Sequence, residues 1–157
     1  MELRHSYRYQ IGRPKVGRAE ILQLEDSMRV LPDAQTPEDM ERLLEHFFAP
    51  HVYGRKMLIP AGFTVVGKIH KHAHLNVITR GKIKVVTEFG DDIYTGPRIW
   101  VSEPGTKRAV HAIEETEWLT IHPNLDDTQD LAALEEYVIA ETFEEYDTLR
   151  LEQEATQ

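Results

Sequence analysis

The chain has 157 residues, no cysteine and a formal net charge of −9. Without thiols, neither a disulfide framework nor a thiolate metal site can form, so any metal must rest on nitrogen and oxygen ligands. The acidic total argues against a nucleic-acid partner, and no apolar run reaches the length of a membrane span. Residues 1–5 lack the apolar core of a secretion signal, so a cytoplasmic protein is the expectation.

The charge is unevenly placed. Residues 114–157 hold fourteen acids and one base, Arg150, a net of −13, which leaves the rest of the chain at +4. A solvated acidic helix is the simplest expectation for that tail, with pairing onto its own body or across a dimer as the alternative.

Three segments are expected: residues 1–52, a β domain over 53–123, and an acidic tail over 124–157. Near the start, Tyr7, Tyr9 and Ile11 alternate as in a short strand, before Gly12, Pro14 and Gly17 interrupt it. Residues 20–31 fit a strand or a short helix. Thr36-Pro37-Glu38-Asp39 is a helix start: a cap, a proline at the first position, and two acids at the positive end of the dipole. Met40, Leu43, Leu44 and Phe47 follow at helical spacing, which predicts a helix over 37–48 that stops before Pro50.

From Tyr53 onward the pattern is short strands between turn residues. Pro60-Ala61-Gly62, Arg80-Gly81, Gly90-Asp91-Asp92, Gly96-Pro97, Pro104-Gly105-Thr106 and Glu114-Glu115-Thr116 mark the breaks. Roughly eight strands in about seventy residues predict an antiparallel sandwich or barrel. The last of these turns is expected to pair residues 108–113 with 118–122 as a hairpin. In the tail, Asp127 or Thr128 is expected to cap a helix carrying Leu131, Leu134 and Val138 on one face.

Three of the eight histidines, His70, His72 and His74, stand at alternate positions. On one continuous strand they share a face and form a candidate metal or acid/base cluster. His111 and His122 lie on later predicted strands and are further candidate ligands. Asn76 is a candidate partner for the cluster, and Tyr53, Tyr94, Trp100 and Trp118 read as core or pocket wall.

Residues 53–123 resemble the cupin superfamily, whose first motif is G-x5-H-x-H-x3-E-x6-G. Gly62 and Gly81 take its glycine positions, His70 its second histidine, and His74 its glutamate, while Lys68 stands at its first histidine. The second motif keeps a Pro104-Gly105 turn but has Arg108 at its histidine. Residues 67–77 and 104–122 are also similar to small cupin-like proteins of phages and prophages. The resemblance implies a mainly β, cupin-type antiparallel β-barrel (jelly roll), here with an N-terminal helix and a C-terminal acidic helix.

It further implies a divalent metal (zinc, iron, manganese, nickel or copper) at His70 and His74 with one of His72, His111 or His122. A small-molecule ligand, a homodimer, and a metal-dependent oxygenation, isomerisation or lyase step on a small anionic substrate belong to the same expectation. Lys68 and Arg108, with Arg80 as a further cation, suggest a basic ligand pocket suited to a carboxylate or phosphate. The alternatives are a metal-free cupin that uses that pocket, and a non-enzymatic ligand-sensing or assembly module.

Overall fold

The computed structural model describes residues 17–32 and 34–156. The strand expected around Tyr7, Tyr9 and Ile11 lies outside them. Helix α1, Arg18–Arg29, opens the described chain and seats Ile21 in the interior. It resolves the ambiguity at 20–31 in favour of a helix.

Helix α2, Pro37–Glu41, begins as its residues dictate. The Thr36 side chain accepts from the Asp39 amide while the Asp39 carboxylate accepts from the Thr36 amide. It does not run on to residue 48. Leu44–Ala49 is strand β1, joined through a turn at Pro50-His51 to β2, Val52–Ile59. Leu44 and Phe47 are three apart, a spacing that fits a helix face as well as a strand. The edge of β2 offers β1 a full ladder of backbone hydrogen bonds, and tertiary pairing overrides local periodicity. The β sheet therefore begins ahead of Tyr53.

Seven further strands complete two main sheets: β3 Thr64–Val66, β5 His74–Arg80, β6 Lys82–Thr87, β7 Gly90–Thr95, β8 Arg98–Ser102, β9 Arg108–Ala112 and β10 Thr116–Pro123. One sheet runs β1-β2-β10-β5-β8 and the other β3-β9-β6-β7, and every pairing is antiparallel. The two pack on one another through Ile59, Ile78 and Trp118 from the first and Ile83, Val85, Val110 and Ala112 from the second. The fold is thus mainly β and antiparallel, as expected, although hydrogen bonds do not close the two sheets into one barrel. The predicted pairing of 108–113 with 118–122 is not made. Their turn carries the chain from one sheet to the other, as does Gly81 between β5 and β6.

The acidic tail is two helices, α3 Leu131–Val138 and α4 Phe143–Ala155, separated by a two-residue strand, β11 Ile139–Ala140. β11 pairs with β4, Ile69–His70, to form a small third sheet. The caps are Asp130 and Thr142, not Asp127 or Thr128. Leu134 and Val138 are buried as the apolar stripe predicted. The tail is not simply solvated: Glu135 pairs with Lys68, Glu145 with Lys71 and Asp147 with Arg18. The acidic tail and the basic body meet within one chain.

Candidate functional site

The histidine stretch does not form one strand. β4 ends at His70 and β5 begins at His74, with a bend between them. The break is held from both sides: the Lys71 amide donates to the Val138 carbonyl at 2.8 Å, and the Gly105 amide to the His70 carbonyl at 2.8 Å. The chain changes sheets here, so simple alternation no longer decides which histidines converge. His70 and His74 turn inward. The His72 side chain turns out to the surface, its ring 4.9 Å from that of Tyr137.

His122, near the end of β10, completes the group. Candidate ligand atoms of His70, His74 and His122 lie within 4.8 Å of one another, and all three residues are buried. Ring centroids are 4.1 Å apart for His70 and His74, 4.7 Å for His74 and His122, and 5.1 Å for His70 and His122. His111 is not part of it. That residue is exposed on β9, where the Thr64 hydroxyl lies 2.9 Å from its Nδ1.

The hydrogen bonds set the protonation of the cluster. His74 Nδ1 lies 3.2 Å from the His72 carbonyl, so it carries the proton and leaves Nε2 as a lone pair. His70 Nδ1 lies 2.9 Å from that Nε2. His72 therefore serves through its backbone, by orienting the ring two residues on, as metal-bound imidazoles are ordinarily oriented. His122 Nδ1 is buried and has no hydrogen-bond partner among the described residues.

Burial, first of all, holds all three imidazoles neutral. It pushes His74 down to about 4 and His122 to about 3, and His70 falls well below its ordinary value. Nearby positive charge, Arg55 among it, acts in the same direction on each.

His70 and His74 line a cavity of about 100 Å³ between the sheets, together with Arg55, Asn76, Arg108 and Trp118. Arg108 enters as expected and donates to the Ser102 hydroxyl. Burial lowers its pKa to about 10. Lys68 reaches the cavity rim, but its ammonium turns outward to Glu135 and is half exposed. Arg80 is also outside, bound to Glu115 at 2.7 Å.

The cation that sequence reasoning missed is Arg55. It shares the inward face of β2 with Met57 and Ile59, and burial pushes its pKa down. Its alternation with buried Tyr53 and Ile59 was the available signal. Asn76 does not bond an imidazole. Its Oδ1 accepts from Trp118 Nε1 at 2.9 Å and its amide donates weakly to the His74 carbonyl, 3.4 Å away.

No family model and no curated protein matches the sequence. Solved structures do. An oxalate decarboxylase from Lactobacillus farciminis overlaps 56% of this chain at 17% identity and a TM-score of 0.46. An RmlC-like cupin from Shewanella frigidimarina overlaps 55% at 11% identity and a TM-score of 0.45, and KdgF from Halomonas sp. 64% at 13% and 0.46. What recurs among them is the cupin fold. The overlap covers 30% of the decarboxylase, 77% of the RmlC-like cupin and 94% of KdgF. The likeness to phage-encoded cupins stays an expectation.

Among the described residues, the candidate site is a group of three imidazoles. His70 and His74 come from the first-motif stretch and His122 from a later strand. The place of the second-motif histidine is filled by Arg108.

Proposed function

We propose that this protein is a small-molecule-binding cupin that holds a divalent metal ion at His70, His74 and His122. The observation that carries the reading is the convergence of three buried, neutral imidazoles, one of which keeps an unpartnered nitrogen. An orphaned buried polar atom costs about 1–3 kcal/mol, and coordination removes that cost. His70, His74 and His122 would hold such an ion through one ring nitrogen each, their candidate ligand atoms lying within 4.8 Å of one another.

All-nitrogen donors suit zinc, iron, nickel, copper or manganese. Such an ion supplies a Lewis acid and open positions for an oxygen ligand. The chain's own part is to fix the His74 tautomer through the His72 carbonyl and to present Arg55 and Arg108 to a negatively charged molecule.

If the bound molecule is turned over, an oxygenation, isomerisation or lyase step on a small anionic substrate fits this donor set. The two half-buried guanidinium groups, Arg55 and Arg108, favour a second reading: a metal-free anion pocket in which the neutral imidazoles accept protons. A homodimer belongs to the same proposal. Leu75, Ile99 and Val101, exposed on the outer face of the larger sheet, support it.

The test is elemental analysis after loading with each candidate ion and removing the excess. Near-stoichiometric metal in the parent protein, lost in His70→Ala, His74→Ala and His122→Ala but kept in His72→Ala and His111→Ala, is the expected result. A parent protein that retains none of the five ions sinks the metal reading and leaves the anion pocket.

A further inference from the structure

Helix α4 has an apolar face without a full cover. None of its thirteen residues is buried by the described part of the chain. Yet Phe143, Tyr146 and Leu149 recur at intervals of three and are half-buried, the pattern of a helix face that packs on something. An open groove of about 770 Å³ runs beside that face, with Tyr146 and Leu149 on one side and Ala133 and Tyr137 of α3 on the other. Its floor is residues 71–73, the bend that parts His70 from His74.

Two observations bear on what fills the groove. The first is charge. Residues 130–155, which carry α3 and α4, hold nine acids and one base. Residues 1–16 hold four bases, Arg4, Arg8, Arg13 and Lys15, and one acid. Opposite signs favour their meeting, and like signs disfavour the acidic tail of a second copy. The second is position. The described chain begins at Gly17, and the Arg18 guanidinium lies 4.3 Å over the Phe143 ring and 2.8 Å from the Asp147 carboxylate. Residues 1–16 therefore join the fold beside the first turns of α4. The six steps from Ile11 to Gly17 reach at most about 20 Å, and the helix from Phe143 to Glu154 is about 17 Å long.

We propose that the groove is the docking site of residues 1–16 of the same chain. Tyr7, Tyr9 and Ile11 supply apolar surface to Tyr146 and Leu149, and the arginines supply charge to the acids of α3 and α4. Those residues lie outside the described ones, and the inference rests on the groove and its surroundings, not on any metal. An occupied groove braces the bend that aims two of the three imidazoles.

The chain has no natural cysteine, so engineered pairs report without interference. The experiment oxidises the whole chain, dilute and metal-free, carrying Ile11→Cys with Leu149→Cys. The control carries Ile11→Cys with Leu151→Cys, since Leu151 is exposed and does not line the groove. The two loops are of nearly equal length, so loop closure alone gives equal rates. Disulfide within one chain, read by mass spectrometry, is expected to form at least about tenfold faster in the Leu149 pair, and to slow about threefold or more in about 0.5 M salt.

Equal rates for the two pairs overturn the proposal. So does a disulfide that forms chiefly between two chains, which assigns the groove to a second copy. Amide exchange in cysteine-free protein gives a reading that no disulfide variant can spoil. Arg8→Glu with Arg13→Glu is expected to speed exchange at residues 146–154 by about threefold or more while β6 keeps its rates. Unchanged rates in α4 overturn the proposal as well. Any of these failures leaves the metal reading standing, because no step of the test involves an ion.

Discussion

The imidazoles of His74 and His122 lie 4.7 Å apart, centroid to centroid, inclined by 28°, and are carried by neighbouring strands of one sheet. They are placed differently in one respect. His74 is oriented by a backbone carbonyl, whereas His122 Nδ1 has no partner among the described residues. That asymmetry separates the worth of His122 to the fold from its worth to a ligand. Replacing a buried polar group that lacks a partner with an apolar ring of similar shape is neutral or stabilising. His122→Phe is therefore expected to raise the melting temperature of metal-free protein by a few degrees and to abolish the increase on adding zinc. Scanning calorimetry with and without metal checks both. A variant that melts lower when metal-free would show that the ring is there for packing.

The same burial makes stability depend on pH. In the unfolded chain the three histidines regain values near 6.5, while in the native protein His74 stays near 4, His122 near 3 and His70 well below its ordinary value. Below about 6.5 the unfolded state takes up protons that the native state refuses, so stability is full above that value and falls as pH drops toward the native values. Each histidine contributes up to about 1.4 kcal/mol per pH unit in that window. Urea titrations of metal-free protein between about pH 7.5 and about pH 5, above most carboxylate titration, are expected to show this slope. It should shrink in His74→Ala, and an unchanged slope in that variant would refute the assignment.

The glycines at three turns make a graded series. Gly62, Gly81 and Gly105 all have positive φ, of 84°, 102° and 76°. A Cβ at Gly62 meets nothing within 4 Å, so Gly62→Ala bears only the conformational cost, about 1 kcal/mol. At Gly105 the added carbon lies 2.3 Å from the Tyr146 ring, which can swing away only by loosening α4. At Gly81 it lies 2.3 Å from the Glu115 carbonyl oxygen and 2.6 Å from Thr116 Cα, backbone atoms that cannot rotate aside. Unfolding free energies from denaturant titrations are expected to be lowered least by Gly62→Ala, more by Gly105→Ala and most by Gly81→Ala, the last by several kcal/mol.

A buried pair ties α1 to the β body. The Lys107 ammonium lies 3.0 Å from the Glu25 carboxylate, and its side chain is 6% exposed. Breaking such a pair from one side costs about 3–5 kcal/mol when both partners are fully buried. Glu25 is partly exposed, so Glu25→Gln is expected to cost about 2–3 kcal/mol. The double change Glu25→Leu with Lys107→Met should recover most of the loss. Thermal melts of the three variants test it, and a double variant no better than the single would mean that Lys107 has other essential partners.

How much of this was legible beforehand depended on what each residue answered to. Most turns were, because glycine and proline punctuate the chain by their own backbone limits, and Gly62 and Gly81 adopt the positive φ their motif positions imply; the turn expected at Gly90-Asp91-Asp92 instead falls at Glu88-Phe89, with Gly90 already paired to Thr87 in β7. The strand rhythm followed from them. Sheet membership did not. The turns at Gly81 and Glu114-Glu115 look like hairpins in sequence, yet each passes the chain between sheets.

At the site, register singled out His70 and His74, and His122 was within reach as the end of the last strand. The outward turn of His72 came from a bend set by partners more than thirty residues away, Val138 and Gly105. Lys68 was lost to the pocket for a similar reason: the acid that draws it out, Glu135, sits in the tail. Arg55 went unnoticed because a lone arginine in a strand ordinarily reaches solvent, and its alternation with Tyr53 and Ile59, the one signal in the sequence, was not weighed against that.

The two-residue strand β11 is small, but it ties the end of the chain to the first metal-ligand candidate. Ile139 is paired with His70, and Ala140 with Ile69. Whatever tightens His70 must therefore slow the opening of a ladder that belongs to the acidic tail. Amide exchange at residues 139–140 becomes a remote gauge of whether the cavity is filled, and a chain cut after Asn124 would give up the cavity along with the tail.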